Sequence, residues 1–132
     1  MGGCRVEHIG ILVEDLDRSL GVFERLLGLG AAEVKDMPDV GMRVASLRAE
    51  NIRIELIQYT SETGGFGRKV MGSAAGYNHI AVEVDDLGPA LKEWEAGGVQ
   101  VMEGFPRDGS HGRVAFFEPS TTEGLLLEVC EA

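Results

Sequence analysis

At 132 residues with 44% hydrophobic content, the chain is long enough for one compact fold with a proper core, or for two half-size units sharing one. A formal charge of −10 argues against nucleic acid or an anionic membrane as partner. No apolar run approaches the roughly 20 residues of a membrane span, and no basic-then-apolar leader opens the chain.

The residues from Cys4 to Val13 predict a strand, with Val6, His8, Gly10 and Leu12 on one face and Ile9, Ile11 and Val13 on the other. Asp15 has the short carboxylate of an N-cap. Leu16, Leu20, Phe23 and Leu27 then recur at helical spacing as one buried stripe, ended by Gly28 and Gly30. Ala31 to Lys35 predicts a short strand and Pro38 to Gly41 a turn. Met42 to Leu47 and Ile52 to Tyr59 alternate as half-buried strands do. In the second of these, Arg53, Glu55, Ile57 and Tyr59 share a face. The first unit therefore reads β-α-β-β-β.

Thr60 to Gly76 is glycine-rich and reads as a connector with a short helix around Phe66 to Met71. Tyr77 to Val84 is the next strand and Asp86 the next cap. Leu87, Ala90, Leu91 and Trp94 line a helix stopped at Gly97-Gly98. Val99 to Glu103 predicts a short strand, Phe105 to Gly112 a loop, Arg113 to Glu118 a strand, Pro119 to Gly124 a turn and Leu125 to Glu131 a final strand. The order of the first unit is thus repeated: one unit spans about residues 5–59, the connector 60–76 and the second unit about 77–131.

The repeat is visible in the residues. EHIGILVEDLDRSL (from Glu7) answers to NHIAVEVDDLGPAL (from Asn78), which pairs His8 with His79 and Asp15 with Asp86. The last strand of each unit carries a glutamate, Glu55 in RIELI and Glu128 in LLLEVC, at nearly the same distance from its histidine. A lone strand histidine is usually a hydrogen-bonded residue without a ligand. Two His/Glu pairs at equivalent places predict one shared cluster of nitrogen and oxygen donors, suited to Zn²⁺, Co²⁺, Ni²⁺, Mn²⁺ or Fe²⁺. Cys4 and Cys130 lack metal-type spacing and read as thiols in a reducing, cytoplasmic setting.

With these motifs in view, the chain resembles the vicinal oxygen chelate (glyoxalase/bleomycin resistance/dioxygenase) superfamily over about residues 5–131. Within it, the chain is most similar to the methylmalonyl-CoA epimerases, through HIGILVEDLDRSL, RIELIQ, YNHIAVEVDDL, SHGRVAFFEP and GLLLEVCE. The resemblance implies an α+β fold in which two tandem βαβββ modules make a curved mixed sheet around a metal site, in a single domain over 1–132. It implies His8, Glu55, His79 and Glu128 as ligands of a divalent ion. It also implies a homodimer and an acyl-CoA or thioester substrate epimerised through a stabilised enolate. Glu128 is then the first acid–base group and Glu55 its pseudo-symmetric counterpart, while His111 and Arg113 offer positive charge to the substrate. Two other readings remain open: a glyoxalase I-type isomerisation of a glutathione hemithioacetal, and a resistance-type protein that binds a small molecule without catalysis.

Overall fold

The computed structural model describes residues 4–29, 33–61 and 65–132. They fall into two compact units, one within His8–Asn78 and one of residues 4–7 with His79–Ala132.

In the first module, β1 (Arg5–Leu12) lies parallel to β4 (Arg53–Tyr59). β4 is antiparallel to β3 (Met42–Arg48), and β3 to β2 (Glu33–Met37). Strand alternation sorts the side chains. Leu47, Ala45 and Leu56 pack with Leu16 under the helix, helped by Ile11, Val13, Leu20, Phe23 and Ile54. The opposite face carries His8, Gly10, Arg53, Glu55, Ile57, Val44 and Ser46, in register. One strand thus buries apolar groups against the helix and polar groups on its other side.

The helix α1 (Leu16–Leu20) begins as expected, with the Asp15 carboxylate accepting from Arg18 N at 3.1 Å. It then continues with π-helical bonding over Gly21–Leu26. The wider i to i+5 turn rotates later residues off the α-helical stripe. Leu27 is therefore 63% exposed, contrary to its expected burial, and Leu29 packs on the core instead. Gly28 has the left-handed φ that lets the chain leave the helix. Gly30 and the expected strand start at Ala31-Ala32 lie outside the described residues. The connector helix α2 (Phe66–Met71) forms where the sequence places it. Arg68 anchors it: its guanidinium stacks 4.4 Å from the Tyr59 ring centroid and donates to Ser61 O and Ser73 Oγ. Burial raises the Tyr59 phenol above its ordinary pKa.

The second module repeats the plan. β5 (Gly76–Val84) is parallel to β8 (Leu127–Glu131), β8 antiparallel to β7 (Gly112–Phe116), and β7 to β6 (Arg107–Gly109). Leu87, Ala90 and Leu91 of α3 (Leu87–Ala96) pack on Val84, Ala115, Phe117 and Val129. The other face carries Ala81, Val114 and Cys130 as a smaller cluster. Cys4 and Cys130 form no disulfide. Two expectations are corrected here. The predicted strand at Val99 to Glu103 is only a bridge, Val101 opposite Phe117, flanked by Met102 N–Phe116 O and Glu118 N–Gln100 O bonds. The predicted loop at Phe105 to Gly112 instead contains β6. Its Arg-Asp-Gly sequence has no apolar alternation because it is a half-exposed edge strand.

Both modules share one further device. Leu16 N donates to Gln58 Oε1 at 2.7 Å, and Leu87 N donates to Glu131 Oε2 at 2.9 Å. Each acceptor stands three residues after its module's glutamate, on the helix-facing side of the last strand. Asp15 adds a side-chain cap at Arg18 N, whereas Asp86, read as the matching cap, makes no side-chain cap bond; Glu131 holds the first amide of α3. We expect Gln58→Ala to cost about 1 kcal/mol of unfolding free energy in chemical denaturation, the usual worth of one such bond.

Candidate metal and active site

The functional candidates sit on the strand faces turned away from the helices. In the first module, β1 and β4 run side by side with His8 opposite Arg53 and Gly10 opposite Glu55. That register leaves the His8 ring next to the Glu55 carboxylate, with Nε2 to Oε1 at 3.5 Å. Both side chains are buried, His8 at 2% and Glu55 at 4% exposure. In the second module, Glu128 lies opposite Ala81 on one side and Phe116 on the other. His79 Nε2 is 3.0 Å from Glu128 Oε1, and again both are buried.

These spacings fit metal ligation. Donors on adjacent vertices of an ion with bonds of about 2.1 Å stand roughly 3.0–3.4 Å apart, depending on coordination geometry. Each module presents one imidazole nitrogen and one carboxylate oxygen at about that spacing. Burial also matters: a carboxylate out of water needs a cation or a close donor to stay ionised. Each His/Glu pair therefore presents one nitrogen and one oxygen donor at ligand spacing.

The two pairs have different surroundings. Beside Glu55 lies Arg53, itself 6% exposed, with Nη2 3.0 Å from Glu55 Oε2 and 3.5 Å from His8 Nδ1. Its Nη1 donates to Ser46 Oγ at 2.7 Å. In the second module the His79 ring meets Phe116 edge-on at 5.2 Å between centroids, and Phe105 lies 5.4 Å from Phe116. One pair sits in a polar wall and the other in an aromatic one. The sequence reading did not assign Arg53, Ser46 or Phe116 to the site. The signal for the first was present, because Arg53 is two residues from Glu55 and a strand places such residues on one face.

The remaining predicted residues are exposed. His111 stands in the β6–β7 turn with Nδ1 3.2 Å from Ser110 Oγ. Arg113, the second residue of β7, lies on the face of Ala115 and Phe117, opposite to that of Val114 and Phe116. Neither belongs to the buried His79–Glu128 pair.

Comparison with known proteins gives the family. The model of the glyoxalase/bleomycin resistance protein/dioxygenase superfamily matches residues 7–117. The ethylmalonyl-CoA/methylmalonyl-CoA epimerase of Cereibacter sphaeroides is 32% identical over 95% of this chain and 96% of its own length. An uncharacterized protein of Bacillus subtilis, YqjC, is 30% identical over 96% of this chain and 91% of its own length. Among solved structures, a methylmalonyl-CoA epimerase in complex with methylmalonyl-CoA and NH4+ superposes with a TM-score of 0.85 at 27% identity, covering 99% of this chain and 96% of that one. The repeated βαβββ modules are those of the glyoxalase-like fold, and the chain belongs to the glyoxalase/bleomycin resistance protein/dioxygenase superfamily.

Proposed function

We propose that this chain is a divalent-metal-dependent epimerase of a 2-substituted malonyl thioester, with methylmalonyl-CoA as the first substrate to test. His8, Glu55, His79 and Glu128 form its ligand set, within one catalytic domain that both modules complete. The observation that carries this reading is the buried His/Glu pair at ligand spacing, present at equivalent places in both modules. The epimerase of Cereibacter sphaeroides, similar over nearly its whole length, supports the substrate class.

The chemistry follows from the donors. Those four groups would hold a divalent ion, which would supply Lewis-acid stabilisation of the negative charge developing on the thioester carbonyl oxygen. The Glu128 carboxylate takes the proton from the carbon beside the carbonyl, and the C–H electron pair passes into the enolate. Return of a proton to the opposite face gives the other epimer. Glu55, on the corresponding strand of the first module, is the counterpart group for that face. The apolar wall of Phe105 and Phe116 keeps water from the second pair, which strengthens the electrostatics there. His111 and Arg113, exposed on the β6–β7 hairpin, are the proposed contacts for the anionic part of the carrier.

Deuterium wash-in tests the reading. With Co²⁺ or Zn²⁺ supplied, methylmalonyl-CoA in D₂O should acquire deuterium at its α-carbon at an enzyme-dependent rate. Glutathione hemithioacetal offered in parallel should give no lactoyl thioester. Turnover of the hemithioacetal with no exchange into the malonyl thioester would replace the epimerase by the glyoxalase reading. Tight binding with no turnover of either would favour a resistance-type binder.

A further inference from the structure

The two half-sites carry the same His/Glu pair but different neighbours at matching positions. Two residues before Glu55 stands Arg53; two before Glu128 stands Leu126. Opposite Glu55 on the adjoining antiparallel strand is Ser46; opposite Glu128 is Phe116. Both differences put a polar group in the first module where the second has an apolar one. They are joined physically, since Arg53 Nη1 donates to Ser46 Oγ while Nη2 reaches Glu55 Oε2.

From this we infer that Arg53 is a positioning residue for Glu55, with Ser46 as its brace. The inference rests on the ligand set proposed above. The guanidinium is a planar fork, and here two of its nitrogens are fixed by two different partners. That arrangement settles which carboxylate oxygen does what. Oε2 is held by Arg53 at 3.0 Å, and Oε1 is the oxygen turned toward His8 Nε2. Glu55 therefore offers a single oxygen, at a set angle, as a one-point ligand. The positive charge of Arg53 also offsets the negative charge of Glu55, which makes an ionised carboxylate tolerable at 4% exposure. The second module carries Leu126 at the place of Arg53, so the matching position supplies no guanidinium there.

The test replaces Arg53 by leucine, the residue that the second module carries at the matching place, and by lysine. Each protein is loaded with Co²⁺ and its visible absorption recorded, since those bands report ligand number and geometry. R53L should shift the bands, because Glu55 can then turn and offer both oxygens. Exchange into methylmalonyl-CoA should fall about 10- to 100-fold, the usual effect of losing a partner that orients a ligand. S46A should shift the bands in the same direction by less. R53K keeps the charge but not the fork, and should recover part of the rate. Should R53L strand a buried carboxylate and fail to fold, R53K and S46A carry the same comparison. Co²⁺ spectra and exchange rates equal to those of the unmodified protein in the folded variants would overturn the inference. If the unmodified protein binds Co²⁺ yet exchanges no α-proton, the epimerase reading fails by itself, and the spectra still judge Arg53. A chain that binds no Co²⁺ overturns both.

Discussion

Glu128→Gln should lower α-proton exchange by about 10³-fold while leaving the metal bound, the loss expected when a general base is removed. The substitution separates two roles that alanine would merge. Glutamine keeps the shape of the side chain and an oxygen able to ligate, but its amide cannot accept the substrate proton. Folding should not suffer. Glu128 is buried on β8 between Ala81 and Phe116, and exchanging a buried carboxylate for a neutral amide removes a desolvation cost. In the metal-free protein the thermal midpoint is thus expected to hold or rise. Metal content by elemental analysis, thermal unfolding and wash-in should be measured on one preparation. A metal-loaded Glu128→Gln protein with a near-normal exchange rate would remove Glu128 from the chemistry.

The fold was legible where the pattern was strongly periodic. Alternation in Met42 to Leu47 and Ile52 to Tyr59 identifies both strands and both faces, since each face meets a different environment. The stripe through Leu16, Leu20 and Phe23 likewise marks the helix face. Reading failed where backbone bonding changed without a sequence cue. Nothing in Gly21–Leu26 announces π-helical bonding, so Leu27 was placed in the core when it is 63% exposed. β6 was missed because an edge strand of Arg, Asp and Gly buries too little to need alternation. Val99 and Val101 suggested a strand because they are β-branched. They do pack under α3, but only Val101 bridges to a neighbour.

The candidate site was legible through the repeat, and only so far as the repeat extends. His8, Glu55, His79 and Glu128 are marked by equivalence, and each His proves to lie beside the Glu of its own module. Arg53, Ser46 and Phe116 break the equivalence, so a search for matched residues passes over them. They are nevertheless what makes the half-sites chemically unequal. The cap of α3 shows the same limit: the matched aspartates suggest matched caps, yet only Asp15 makes the side-chain bond.

Exhaustive removal of metal should lower exchange by at least about 10²-fold, with recovery on adding back Co²⁺ or Zn²⁺. The proposed set of two imidazoles and two carboxylates suits several first-row ions, so more than one should restore activity to different levels. The same treatment should lower thermal stability. An ion that binds the folded chain alone stabilises it by an amount that grows with its concentration, about 2.7 kcal/mol at one hundred times its Kd. Without the ion, Arg53 still neutralises Glu55 in the first half-site. In the second, the carboxylate of Glu128 has the ring of His79 at 3.0 Å, amid aromatic side chains. His8→Ala and His79→Ala should each weaken the metal-dependent rise in thermal midpoint. A protein stripped below stoichiometric metal that keeps its full exchange rate, with a midpoint indifferent to added ions, would refute the metal-dependent mechanism while leaving the family assignment intact.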